Sequence, residues 1–141
     1  MLKQLKQRKE GFTIIEVLIV LAIAGLIMLI VFLAVPALQR NQRNSQRTSE
    51  AARVAASVSE CLANRNGVVA SCTVANLNYG TLNQFQGVAI GGAAYSQTNV
   101  QIVFNTGCLA DGSAVGGVSG GPRSFAVTYQ LEPAINRCVA S

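Results

Sequence analysis

The sequence predicts an α+β chain in which a long N-terminal hydrophobic α-helix packs on a small C-terminal antiparallel β-sheet. Three observations predict it. Residues 12–38 are apolar apart from Thr13 and Glu16. Residues 39–64 are polar at first and then amphipathic at helical spacing. Beyond Gly67 the texture changes to short alternating segments separated by turn residues. A chain of 141 residues holds one small domain and one long helix, not two cores.

Residues 1–11 form a basic leader. Lys3, Lys6, Arg8 and Lys9 stand against Glu10, so most of the net charge of +5 sits here. From Val17 to Leu38 there is no charge and no Asn, Gln, Ser or Thr. As a helix this run spans roughly 33 Å, about a bilayer core, so it can cross a membrane once. The basic leader then stays on the cytoplasmic side and the rest is exported. A removable secretory signal does not fit. The small-residue site Ala22-Ile23-Ala24 would leave a long apolar stretch on the new terminus. Pro36 lies inside the helical pattern and predicts a kink near residues 32–36, not a stop, because the pattern resumes beyond it.

Arg40, Arg43 and Arg47 share one helix face, and Glu50 is placed to pair with Arg47. Ala51, Val54, Ala55, Val58, Cys61 and Leu62 form an apolar stripe, with Glu50, Arg53, Ser57 and Glu60 away from it. Asn66-Gly67 supplies the stop, so one helix runs from Phe12 to about Asn64. Val68–Val74 reads as a first short strand. Val100, Ile102 and Phe104 alternate with Gln101 and Asn105, with Val103 breaking the pattern, and Phe125, Val127, Tyr129 and Leu131 alternate with Ala126, Thr128 and Gln130; both read as half-buried strands. Ala134–Val139 reads as a last strand after Pro133, Gly91-Gly92 as a turn, and residues 111–122 as an exposed Gly-rich loop. Tyr79, Tyr95 and Tyr129 read as packing residues.

The composition excludes several function classes. There is no His, so Ser–His–Asp and Cys–His catalysis and His-ligated metals are ruled out. The acids after residue 38 are Glu50, Glu60, Asp111 and Glu132, scattered singly, with no calcium-type cluster. No metal or cofactor is expected. The four cysteines, Cys61, Cys72, Cys108 and Cys138, lack the close C-x-x-C pairs of zinc sites. In a small exported domain they read as two disulfides, with three connectivities open.

The N-terminal order of parts carries the functional signal. Gly11 ends the leader, Phe12 follows, Glu16 lies four residues on, and the apolar run begins at once. An acid in a membrane helix is a functional candidate by default. Gly11-Phe12-Thr13-Ile14-Ile15-Glu16-Val17-Leu18-Ile19-Val20, continuing through Leu21-Ala22-Ile23-Ala24-Gly25, resembles the processing motif of type IV prepilins. The remainder resembles that family only in layout: helix, small β-domain, C-terminal cysteines.

The resemblance implies that prepilin peptidase cuts between Gly11 and Phe12 and methylates the Phe12 amine. It implies that the retained apolar run is first a membrane anchor and then the core of a filament. Glu16, with Thr13 beside it, would set register by pairing its carboxylate with the terminal amine of a neighbouring subunit. Gly25 and Pro36 would govern the helix kink, although Pro36 lies about one turn later than in many relatives. Cys108–Cys138 would close the C-terminal loop as in the family, and Cys61–Cys72 would tie the helix end to the first strand. The segments would be a cleaved leader (1–11), a transmembrane or filament-core helix (12–38), its amphipathic continuation (39–64) and a disulfide-bonded β-rich head (65–141).

The expected role is a structural subunit of a type IV pilus, not an enzyme, serving adhesion, twitching motility or DNA uptake. Its partners would be other copies of itself, prepilin peptidase, the assembly platform with its ATPase, and the membrane before assembly. It would pass from the inner membrane to an extracellular filament. A pseudopilin or minor pilin of a secretion or competence apparatus is the alternative, and a single-pass anchored binding domain is an alternative of another class. The Arg40/Arg43/Arg47 face reads first as a solvated or intersubunit surface, then as a lipid-headgroup contact, then as a DNA-phosphate contact.

Overall fold

A computed structural model describes residues 11–92, 96–119 and 121–141. The leader residues Lys3, Lys6, Arg8, Lys9 and Glu10, and Tyr95, lie outside them. The chain forms two compact units, Met1–Gln39 and Arg40–Ser141.

One helix, α1 (Ile14–Asn64), contributes to both units and contains Pro36. Its first part is apolar on every side, and each residue from Gly11 to Leu38 is exposed. A helix hydrophobic all round is a membrane or assembly element, since no single face selects a core. The same helix is amphipathic from Arg40 onward. It stops where Asn66 and Gly67 adopt left-handed backbone, with φ of 52° and 80°. Gly67 N–H donates to Leu62 O at 2.7 Å and Arg65 N–H to Cys61 O at 3.0 Å, which closes the last turn.

After α1 the chain makes two single-turn 3-10 helices, Val69–Ser71 and Val74–Asn76. Six strands follow: β1 (Gly87–Ile90), β2 (Asn99–Phe104), β3 (Thr106–Cys108), β4 (Val115–Ser119), β5 (Phe125–Leu131) and β6 (Ile135–Ala140). A four-stranded sheet has the order β1-β2-β5-β6, and β3 pairs with β4 in a second, two-stranded sheet. The fold is α+β, a long N-terminal apolar helix whose later part packs on a C-terminal mixed sheet.

Several expectations are corrected here. The main sheet is mixed, because β1 pairs parallel with β2 while β2–β5 and β5–β6 are antiparallel. The segment Val68–Val74 makes 3-10 turns instead of a strand, and Cys72 within it is buried against the helix end by its disulfide. The Gly-rich stretch 111–122 contains strand β4. There Gly116 leaves room for Leu109, whose side chain a Cβ at that position would overlap.

The core forms between one face of α1 and one face of the main sheet. Ala51, Val54 and Val58 from α1 meet Val100, Ile102, Phe125, Val127 and Tyr129. The opposite face of β5 is also covered. Ala126 and Thr128 are buried, and Gln101 on β2 beside them is buried too. The second sheet supplies that cover, since β3 lies against β5 and β6. A disulfide between Cys108 on β3 and Cys138 on β6, where Cys138 sits opposite Thr128, fastens it. Strand β5 is therefore a two-sided core strand, although its alternation reads as half-buried.

Candidate functional site

The helix begins at a reciprocal cap. Thr13 precedes the first helical residue, Ile14, and Glu16 is the third. Glu16 Oε2 accepts the Thr13 N–H at 2.9 Å and the Thr13 hydroxyl at 2.8 Å. Thr13 Oγ1 in turn accepts the Glu16 N–H at 3.4 Å. This is a Thr-x-x-Glu capping box, in which two amides with no intrahelical partner are satisfied by each other's side chains. The carboxylate also opposes the positive end of the helix dipole. The pattern is legible as a local motif before an apolar run, and it gives Thr13 a role that reading the acid alone overlooks.

Phe12 immediately precedes the cap and is 90% exposed. A shallow groove along Phe12, Glu16, Val17, Val20 and Leu21 places the carboxylate beside apolar side chains. A backbone cut before Phe12 would create an ammonium group one residue ahead of the cap, close to the Glu16 carboxylate. Gly11 and Gly25 have open space around them, and Pro36 lies in the exposed part of α1.

The arginine face is not the uniform surface that its spacing suggests. Arg43 clasps Glu132 with Nη2 to Oε2 at 2.8 Å and Nε to Oε1 at 3.0 Å. Arg47 is buried, donates to Gln130 O at 3.0 Å, reaches Glu132 Oε1 at 3.4 Å and lies over the Phe85 ring. Asn44 joins them, donating to Glu132 O and accepting from Glu132 N–H, each at 2.9 Å. Two of the three arginines therefore fasten the β5–β6 turn to α1, and Arg40 alone stays exposed. The Arg43 hydrogen bonds hold the Glu132 carboxyl below its ordinary value of 4.5, aided by the charges of Arg43, Arg47 and Arg40 and opposed by partial burial.

Glu50 does not pair with Arg47, and it is buried instead of turned outward. Its carboxylate accepts the backbone N–H of Asn83 at 2.8 Å and of Gln84 at 3.0 Å, with Arg53 at 3.9 Å. Ser57 is likewise buried, with its hydroxyl on Val54 O. Glu50 thus holds the segment that leads into β1, a partnership with no local sequence signal.

The disulfides join Cys61 to Cys72, with Cα atoms 5.9 Å apart, and Cys108 to Cys138, with Cα atoms 5.6 Å apart. The first ties the end of α1 to the 3-10 turns, not to a strand. No group of three or more metal-ligating side chains occurs among the described residues.

Residues 6–32 match the family model of the prokaryotic N-terminal methylation motif. No curated protein and no solved structure matches the chain. The matched stretch spans the second half of the leader, the Gly11/Phe12 junction, the capping box and most of the apolar run. The chain thus carries the class III signal typical of type IV pilins and pseudopilins. That motif implies processing by prepilin peptidase, passage through the membrane and entry into filament-like machinery. Proteins bearing it are generally structural, not enzymatic.

Proposed function

We propose that this chain is the precursor of a type IV pilin. Prepilin peptidase cuts it between Gly11 and Phe12, the Phe12 amine is methylated, and the product polymerises into a surface filament. The observation that carries the reading is the methylation motif fused to a helix whose apolar residues are exposed on all sides. Such a surface is stable only in lipid or against other apolar helices. A membrane stores the subunit, and a bundle of its own copies replaces the lipid.

Within that bundle the Glu16 carboxylate answers the charge of the Phe12 amine of a neighbouring copy. A lone charge in an apolar core is expensive, so only the paired register is tolerated. Residues 1–11 are the leader, 12–38 the filament core, 39–64 its amphipathic continuation and 65–141 the outer head. Gly25 and Pro36 are the positions where the core helix bends. The assembly platform and its ATPase drive polymerisation. Two disulfides and the absence of an acidic cluster among the described residues favour a pilus subunit over a pseudopilin. The one exposed arginine left on that face, Arg40, does not make a strong DNA surface, since Arg43 and Arg47 are committed to Glu132.

Intact-mass spectrometry of material sheared from cells tests the proposal. The expected species lacks residues 1–11, carries one added methyl group and is short of four hydrogens. Finding it as the dominant sheared species supports a major pilin. A minor sheared species, or one confined to a secretion complex, supports the pseudopilin. A full-length chain confined to the membrane overturns both readings in favour of an anchored binding domain.

A further inference from the structure

Most charged side chains of the folded unit find partners within it. Glu132 takes Arg43 and Arg47, Glu50 takes backbone amides with Arg53 alongside, and Asp111 accepts the N–H and hydroxyl of Ser113. The side chain of Glu60 is exposed and makes no hydrogen bond or ion pair among the described residues. The exposed side chain of Arg137 is in the same position.

These two residues lie on opposite edges of the unit. Gln46, Arg53 and Glu60 are seven residues apart in turn, so they follow one ridge of α1. Gln46 accepts from Gln84 Nε2 at 2.8 Å and Arg53 donates to Thr81 O at 3.0 Å. That ridge therefore faces the segment feeding β1, one edge strand of the main sheet. Glu60 stands about 10 Å further along it. Arg137 lies on β6, the other edge strand. Arg65 follows the end of the helix that bears Glu60 and so travels with it, and Arg40 sits in the field of Glu132.

We propose that Glu60 of one copy pairs with Arg137 of a neighbouring copy, forming a lateral contact between the folded units of the polymer. The proposal rests on the filament reading and names the partner surface within it. A rotational or helical repeat brings opposite edges of successive copies together, so the interface is heterologous. An acid on one edge and a base on the other suit that geometry. The same two residues on a single edge would not. Complementary charge also rejects the inverted packing, in which like charges would meet.

Charge exchange in the full-length chain, expressed with its assembly system, tests the pair. The variants are Glu60→Arg, Arg137→Glu and the double exchange. Neither side chain has a hydrogen-bond or ion-pair partner among the described residues, so the membrane pool should keep its level and both disulfides, checked by intact mass. Each single variant should lower the yield of sheared filament about tenfold or more. The double exchange should restore it to within about twofold of the starting protein. Single variants that assemble normally, or a double exchange that fails to recover, overturn the pair while wild-type filaments leave the pilin reading intact. Recovery of Glu60→Arg by Arg65→Glu instead of Arg137→Glu also overturns it. Absence of sheared wild-type filament overturns this contact and the filament reading together.

Discussion

Removing the Cys108–Cys138 disulfide should cost the folded unit a large share of its stability. The bridge closes a 30-residue separation. In the chain-entropy model a ring of that length restricts the unfolded chain by about 3.7 kcal/mol at 25 °C. The 11-residue separation of Cys61–Cys72 corresponds to about 2.8 kcal/mol by the same relation. Domains of this size are typically stable by only about 5–15 kcal/mol. The longer bridge also holds the β3–β4 sheet over the back of β5, where Ala126 and Thr128 are buried. The test is urea unfolding of full-length chain in detergent micelles, followed by tyrosine signals. Tyr129 reports on the core through its edge-on contact with Phe85, the ring centroids lying 6.2 Å apart. With a urea slope of about 1.5 kcal/mol/M, Cys108→Ala/Cys138→Ala should lower the midpoint by about 2.4 M. The corresponding Cys61/Cys72 variant should lower it by about 1.8 M. A shift below about 0.5 M for the longer bridge would refute the reasoning, as would a clearly larger loss for the shorter one.

Other outcomes follow from single features. Gly67→Ala should destabilise by about 1–3 kcal/mol, because the site needs φ of 80° and a Cβ there meets the Arg123 side chain. A wild-type midpoint would refute both the cost of the positive φ and the clash with Arg123. Thr128→Val should leave stability unchanged or raise it by up to about 1 kcal/mol, since Thr128 Oγ1 is buried without a hydrogen-bond partner among the described residues. A loss of that size would reveal a hydrogen bond to the hydroxyl. Glu132 has a lowered carboxyl pKa, so its contribution is complete above the ordinary value of 4.5 and fades as pH falls through the lowered one. Unfolding midpoints measured down that range should fall less in Glu132→Gln than in wild type. Identical acid slopes would remove Glu132 from the account. Thr13→Ala removes half of the capping box, at about 1 kcal/mol of local helix stability, yet leaves the Glu16 carboxylate. It should therefore assemble where Glu16→Ala does not. Equal loss in both would reduce Glu16 to a helix cap.

The parts of this protein that depend on near neighbours in the chain are legible in its sequence. The long apolar run, the motif around Gly11, Phe12 and Glu16, the Asn66-Gly67 stop and the alternation of β5 each express a backbone preference or a short spacing. The capping box of Thr13 and Glu16 is equally local and can be read from its four residues. Partnerships across long separations are another matter. Arg47 and Glu50 look like an adjacent surface pair, but each finds a partner more than thirty residues away. The unit that folds around them offers the Gln130 carbonyl and the Glu132 carboxylate to the one and the backbone amides of Asn83 and Gln84 to the other. Charge buried in a core must be matched at once, so tertiary contact outweighs the weaker pairing along an exposed helix. The parallel pairing of β1 and the strand hidden in the Gly-rich stretch were also decided at that level. A strand's partner and its second covered face depend on where the chain returns in space, and alternation along one segment records only a single face.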